Sequence, residues 1–556
     1  MILDTKLPRT PPGTRAEHNV ELLALFAVFV VALLPRLWVI HVGAPFITID
    51  DKTAFEGGFL VWFGNAPPQR TYIESWLYGI VEILVFACRQ AQTHHAALGV
   101  NAIADAYKDY YGNPSAYVQA FRSVTILIDL ATTISIYYIG RELVVLRQSR
   151  WLPVLPAALY AISYNVLWCG LVSRPDSVLV FYSALGTLLY LRSRSGTELG
   201  YLLASAVVLG LAAGQKLHGA LITVLLTIDL IRAGGARAVI RRALPFSITA
   251  FICFAVAAGT LVFDPLDYVK MRMANYSDDY SPWLHWGQQF PTMLRGSGWL
   301  AIPVILLVPL LLKIFSNKRT LEVDQGQRAL VTVAIGALLM FASIRQLRAY
   351  WMLPYLPVIY IVATTSISGM KSRLLRVAVI SSLAISLGVQ TLAQASQLKV
   401  AHYTEMTTWL AENAANKVVY LLGNDSFVLP KNTRCISRSR SIVEEIVRAD
   451  EIGNLPFTLR HAKNWEERSN LRLMDMLDWH YDSAYEYYDF YTAPPKIFSE
   501  IVGLDGVDVV LLADGFDLSL APELDDLIHR KFVKVGERIG AGGGSKGLKY
   551  EIFVRA

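Results

Sequence analysis

Long apolar runs separated by short polar segments fill the chain from residue 20 to residue 395. The first, Glu21 to about Ile40, is long enough to cross a bilayer as a helix. The stretch before it, residues 1–20, carries Lys6, Arg9, Arg15 and several prolines. It is expected to be a cytoplasmic tail, since basic residues flank spans on the inside. Further spans are expected near 117–139, 151–170, 177–191, 199–214, 217–231, 244–263, 297–315, 328–344, 349–367 and 374–393. That makes about eleven crossings, with the N-terminus in and the C-terminus out. The pair 199–214 and 217–231 is short. The basic clusters flanking it, Arg192 with Arg194 and Arg232 to Arg242, must share a side, so the pair crosses twice and Lys216 and His218 mark an outer turn.

The run Tyr72 to Arg89 contains Glu74, Glu82 and Arg89. If it crossed, Arg141, Arg147 and Arg150 would all lie outside, against the distribution of cytoplasmic cations. It is therefore expected to lie at the outer interface or to enter only partly, inside a first outer loop over 41–115. A second outer loop over 264–297 holds Tyr268, Tyr276, Asp278, Asp279, Tyr280, Trp283, His285 and Trp286. Some of these rings suit an interfacial aromatic belt.

From residue 396 the pattern changes. A helical stretch at Tyr403 to Asn413 leads to an apolar run at Val418 to Leu422. A second run at Val507 to Leu512 precedes helical patterning near Pro522 to Arg530, and Tyr550 to Val554 is strand-like. Alternating strands and helices predict a soluble extracytoplasmic α/β domain over 396–556. The glycine-rich GAGGGSKG at 540–547 lacks P-loop spacing and a following helix, and fits a hairpin turn. The fold class is then an α-helical polytopic membrane protein, residues 21–395, with a C-terminal α/β domain.

Composition agrees: 54% of residues are hydrophobic and 17% charged. The net charge of +6 implies no nucleic-acid partner, because Lys and Arg sit in short loops between spans. Cys88, Cys169, Cys253 and Cys435 are scattered and form no disulfide framework or zinc spacing. The first run lacks a small-residue cleavage site and leads into more spans, so no cleavable signal peptide is expected.

Charge placement carries the candidate chemistry. The inner ends of spans hold plain Lys and Arg anchors. The outer ends mix acids and bases: Asp50 with Asp51, Arg122, Arg174 with Asp176, Lys216 with His218, Asp264, and Arg345 with Arg348. Ionisable residues beside spans are costly unless they face water, a partner or a substrate. Blander readings stand beside this one. An acidic pair after a span is also the pattern of a helix cap or a solvated loop. Arg174 with Asp176 is also a structural ion pair, Arg348 an interfacial anchor, and His218 a polar turn residue.

Several segments together resemble the GT-C superfamily of membrane glycosyltransferases, in the branch of the protein O-mannosyltransferases and the lipid A aminoarabinose transferase. Span 1 ends in LPRLW and is followed by Asp50-Asp51, where the family has Asp-Glu. PPQRTYIESWLYG precedes the partly inserted helix, and FRSVTILIDLATTISIYYIGREL starts the next span with an arginine. SRPDSVLVF, GLAAGQKLHGAL and LRAYWMLPYLP resemble later family segments.

The resemblance implies a polyprenyl-phosphate sugar donor, an extracytoplasmic acceptor (glycolipid or cell-envelope polysaccharide, then protein) and inversion at the anomeric carbon. It implies Asp50 as the base on the acceptor hydroxyl, with Asp51 at the second acidic position. A departing phosphate needs cations, for which Arg348, Lys216, Arg70 and Arg174 are the candidates, with Asp176, His218 and Tyr350 in support. No cofactor is expected; a divalent metal is left open. The expected location is a bacterial inner membrane with the site facing the periplasm. A transporter or lipid-linked sugar flippase is the rival reading, although no inverted repeat is visible in the spans. A structural scaffold is the third.

Overall fold

The computed structural model describes residues 15–41, 114–147, 151–171, 176–195, 199–258, 286–305, 325–344, 349–370, 372–395, 401–422, 434–438, 485–486, 506–513, 522–540 and 548–556. The chain divides into a helical unit, which holds most of residues 1–396, and a second unit holding everything from 397 on.

The helices are α1 (Arg15–His41), α2 (Pro114–Glu142), α3 (Val154–Ala161), α4 (Tyr164–Leu171), α5 (Asp176–Ser195), α6 (Leu199–Gln215), α7 (Ala220–Ala238), α8 (Leu244–Ala258), α9 (Trp286–Ser297), α10 (Gln325–Ala342), α11 (Leu356–Ser368) and α12 (Arg373–Ala395). Among the described residues six stretches are long and apolar enough to cross a membrane: Val20–Leu37, Gln119–Glu142, Val239–Ala258, Gln325–Ala342, Trp351–Ser368 and Arg373–Ala393. Of the Trp351–Ser368 stretch 89% is buried, against 17% of Val20–Leu37, Val239–Ala258 and Arg373–Ala393. So α11 forms the middle of the unit, while α1, α8 and α12 form its rim. Leu23, Phe26, Leu34, Phe251, Leu374 and Leu392 are exposed there. So much apolar rim suits lipid and not water. The chain is an integral membrane protein.

Several expected spans are built differently in detail. The span expected at 349–367 begins as a 3₁₀ turn, Ala349–Tyr355, and becomes α-helical only at Leu356. Pro354 and Pro357 explain this: each lacks an N–H and clashes with the preceding turn, so the α-helix starts around them. The span expected at 151–170 is broken into α3 and α4. The carbonyl of Ile162 at the break accepts a hydrogen bond from Thr391 Oγ1 of α12 at 2.7 Å. The basic segment 232–242 is helical, with a π-turn at Val239–Ala243. The chain still doubles back there, because Thr227 and Ser247 hydroxyls lie 3.2 Å apart. The end of the expected outer loop 264–297 is the helix α9. Gln390 and Asn165 donate to its last carbonyls, Arg295 O and Gly296 O, each at 2.5 Å. Gly298 then ends it with φ +86°, a conformation glycine takes without strain.

Helix α6 packs between α5 and α8. A Cβ on Gly210 would lie 2.4 Å from Ala250 O, and one on Gly214 2.3 Å from Ala257 Cβ. The four-residue spacing of these glycines lets α6 and α8 approach backbone to backbone, as small residues do in membranes.

In the second unit, α13 (Ala401–Asn413) precedes a six-stranded mixed sheet in the order β3-β2-β1-β4-β6-β5. The strands are β1 (Val418–Leu422), β2 (Arg434–Arg438), β3 (Tyr485–Glu486), β4 (Val509–Ala513), β5 (Phe532–Gly540) and β6 (Leu548–Arg555), and α14 (Pro522–Lys531) lies between β4 and β5. β1, β2, β3 and β4 run parallel, and β5–β6 add an antiparallel hairpin at the edge. One face packs Val419, Leu421, Val509 and Leu511 on Met406 and Leu410 of α13. The other packs Tyr420, Leu422, Val510 and Leu512 on Ile528 of α14. Burial on both faces is why β1 and β4 are unbroken apolar runs. The expected α/β pattern is present. Strand β5 was not legible, because its sequence, FVKVGERIG, is largely polar and includes a bulge at Val535. The hairpin expected at 540–547 agrees with the Gly540–Leu548 pairing, although 541–547 lie outside the described residues.

Candidate functional site

Charged side chains collect at the two ends of the helical unit. At one end are the start of α1, the ends of α2, α5 and α7, and the starts of α8 and α10. There Tyr137 donates to Glu21 at 2.6 Å, and Arg192 and Arg147 meet Glu142 at 3.2 and 3.3 Å. Asp229 gathers Tyr190 at 2.7 Å, Arg328 at 3.7 Å and the guanidinium of Arg194. Arg242 donates to Ser193 O at 2.8 Å. These contacts join the expected inner ends into one layer, as the alternating topology requires.

The opposite end joins the end of α1, the starts of α2, α5 and α11, and the turn between α6 and α7. Asp176 opens α5 and is fully buried; Lys216 lies just past α6 and is 8% exposed. Lys216 Nζ donates to Asp176 Oδ1 at 2.9 Å. Lys216 is extended, and the turn closes at once through Gly219 N–H donating to Lys216 O at 2.8 Å. Gly219 allows this, since a Cβ there would sit 2.8 Å from Ala212 O. The His218 ring stacks on Trp351 with centroids 6.5 Å apart, and the Tyr355 hydroxyl donates to His218 O. Buried Arg122 donates to Ile40 O at 3.3 Å, tying the start of α2 to the end of α1.

Deeper in the same half lies a second buried pair. Arg36 Nε meets Asp129 at 3.3 Å, and its Nη1 donates to Ala32 O at 2.7 Å and Ala161 O at 3.2 Å. The hydroxyls of Tyr160 and Ser177 lie beside the Asp129 carboxylate. Ser177 follows Asp176, so the two ion pairs are neighbours along α5. An ammonium or guanidinium paired with a carboxylate can exchange that partner for another oxyanion, above all for phosphate.

Of the sequence candidates, the structure joins Lys216 to Asp176 and places His218 on the same turn. Lys216 is a described partner of Asp176, whereas Arg174, the partner offered by the sequence, lies outside the described residues. Asp50, Asp51, Arg70, Arg174 and Arg348 lie outside the described residues, as does the segment 72–89. Tyr350 falls in the 3₁₀ turn before α11, and its side chain is likewise outside. Among the described residues no group of three or more His, Cys, Asp or Glu is placed to hold a metal ion. The Arg36–Asp129 pair was not anticipated, although its signal was available. A lone acid within TILIDLATT needs a cation in an apolar span, and the arginine of LPRLW is the one supplied.

No family model matches the sequence, and no curated protein matches it. Solved structures do. The crystal structure of ArnT from Cupriavidus metallidurans in the apo state is similar with a TM-score of 0.49 at 12% identity, covering 95% of this chain and 97% of that one. ArnT from the same organism bound to undecaprenyl phosphate gives 0.47 at 12%, covering 97% and 98%. The Archaeoglobus fulgidus oligosaccharyltransferase in the apo form gives 0.44 at 12%, covering 72% of this chain and 59% of that one.

Proposed function

We propose that this chain is an inverting GT-C-type glycosyltransferase. It moves one sugar from a polyprenyl-phosphate donor to an acceptor presented outside the cytoplasm, a glycolipid or envelope polysaccharide in preference to a protein. The observation that carries the reading is the buried Lys216–Asp176 pair. It stands on a tight turn at the end of the helical unit opposite the basic anchors, where a lipid-tethered phosphate would arrive.

In this reading Asp50 takes the proton from the acceptor hydroxyl, whose oxygen attacks the anomeric carbon. The bond from that carbon to the phosphate oxygen breaks, and the phosphate leaves with the electron pair. Lys216, with Arg348, Arg70 and Arg174, stabilises the departing charge. Asp176 holds Lys216 until the donor arrives, Asp51 flanks the base, and His218 and Tyr350 line the approach. One displacement inverts the centre. The site faces the periplasm of a bacterial inner membrane.

The test is sugar transfer by the purified full chain in detergent, supplied with a panel of polyprenyl-phosphate sugars and envelope extract, beside Asp50→Asn and Asp51→Asn. The expected result is a loss of about 10²–10⁴-fold in Asp50→Asn with thermal unfolding unchanged. Equal transfer by all three proteins removes the acidic pair from the mechanism. No transfer and no donor binding by the unaltered chain overturns the reaction class.

A further inference from the structure

We infer that Gln215 reads the sugar of the donor, as a specificity-determining residue beside Lys216; this rests on the glycosyl-transfer reading above. Gln215 is the last residue of α6 and is fully buried. Among the described residues neither its Nε2 nor its Oε1 has a hydrogen-bond partner. An unpaired amide in a buried place destabilises the fold, and a methionine of similar size would fill the space without that loss. Gln390 is half satisfied by comparison: its Nε2 donates to Arg295 O at 2.5 Å, while its Oε1 has no partner among the described residues. Packing gives no reason for an amide at 215.

The neighbourhood supplies one. The next residue, Lys216, is the cation proposed for the donor phosphate, so a sugar on that phosphate comes within reach of residue 215. The chemistry selects the sugar over the rest of the donor. A prenyl chain has nothing to offer an amide. A phosphate diester offers acceptors only and would leave Oε1 unpaired. Neighbouring sugar hydroxyls both donate and accept, and satisfy both halves of the amide. The amide is sealed in the unliganded chain. It opens when Lys216 exchanges Asp176 for phosphate and the 216–219 turn moves, a turn held by the His218–Trp351 stack and the Tyr355 hydrogen bond.

The experiment measures binding to the full-length chain in detergent, with Gln215→Met beside the unaltered protein. The probes are undecaprenyl phosphate alone and undecaprenyl phosphate carrying mannose, glucose or aminoarabinose. The variant is expected to unfold at the same temperature or higher and to bind the bare carrier equally. Its affinity for the preferred sugar-carrying donor falls about tenfold, the scale of one lost hydrogen-bonding group. If the ratio of sugar-carrying to bare affinity is unchanged, Gln215 is only a packing defect and the inference fails. If both probes weaken equally, the residue acts on the phosphate and the sugar assignment is overturned. Failure of the unaltered chain to bind any of the probes overturns the transferase reading and takes this inference with it.

Discussion

The two ends of the helical unit use the same residue types to opposite purpose. At one end Asp229 is surrounded by Tyr190, Arg194 and Arg328, and Glu142 by Arg147 and Arg192. Each acid there has more than one donor, and the partners come from different helices. Such a network clamps helices in register and leaves little for a ligand to displace. At the other end Lys216 meets Asp176 on a turn that glycine allows to be tight, next to an amide with no hydrogen-bond partner among the described residues. Buried charge is costly in both places. The first end surrounds its acids with several cations and a tyrosine, and the second holds an amide that has no hydrogen-bond partner among the described residues. That difference separates a fastening from a candidate site, although Asp, Arg and Tyr occur at both.

The largest effect is expected from breaking the fastening one-sidedly. Asp229→Asn leaves Arg194 at the protein interior without its carboxylate, while one acceptor oxygen remains for Tyr190. Removing one partner of a buried pair costs roughly 3–5 kcal/mol, so thermal unfolding in detergent should fall by many degrees. If the opposite end binds the donor phosphate, affinity for undecaprenyl phosphate in the surviving folded fraction should stay the same. A fall in affinity at unchanged stability would break the distinction between the ends.

Next comes replacement of the whole Lys216–Asp176 pair. A buried ion pair exchanged for apolar residues of similar volume is often neutral or stabilising. Lys216→Met with Asp176→Leu should therefore unfold no earlier than the parent. If this end binds the donor phosphate, the double variant should bind undecaprenyl phosphate about 10²-fold more weakly, the scale of a lost charge-assisted contact in a water-poor site. Stability retained and binding retained together would make the pair as purely structural as the Asp229 cluster.

How much of this was visible in the residues follows from which forces act locally. The rim helices and the sheet strands β1 and β4 were legible because burial writes itself as unbroken apolar runs, such as VVYLL and VVLLA. The gathering of basic residues at one set of helix ends was legible because such anchors need no partner to be recognised. The Lys216 turn followed from topology alone, as the point where two short spans must reverse. Pairings were not legible. That Asp176 meets Lys216, 40 residues on, or that Arg36 meets Asp129, 93 residues on, depends on how helices pack. Proline breaks inside the span at 349–367 were also underread, since mean hydropathy is blind to missing N–H groups. Gln215 was passed over because a single amide in an apolar helix looks unremarkable until its partners are counted.

The exposed hairpin β5–β6 shows the same charges at work in water and gives the smallest prediction. Glu537 and Glu551 stand directly opposite each other across the strands, a placement that repels. Lys534 relieves it, reaching Glu551 at 2.8 Å and Glu537 at 3.2 Å, while Lys549 also meets Glu537. The hydrogen bonds from Lys549 and then Lys534 hold the Glu537 carboxyl below its ordinary 4.5. Those from Glu551 and then Glu537 hold Lys534 above its ordinary 10.5. A depressed acid contributes stability that is present above its unfolded value and is lost as pH falls through the folded one. A raised lysine contributes stability present below its unfolded value and lost as pH rises through the folded one. Between those limits the network is intact. Acidification from pH 4.5 downward should therefore loosen the hairpin in the unaltered chain. In Lys534→Met the opposed glutamates keep only Lys549, so protonation relieves repulsion and the acid-induced loosening should shrink or reverse. Hydrogen exchange of the β5 and β6 amides in the full chain, corrected for its intrinsic pH dependence, reads the sign directly. The effect should be slight, as exposed pairs contribute little. Parallel acid responses in both proteins would mean that Lys534 does not separate the glutamates. A large response would mean that exposed charge matters here as much as buried charge does at the two ends of the helical unit.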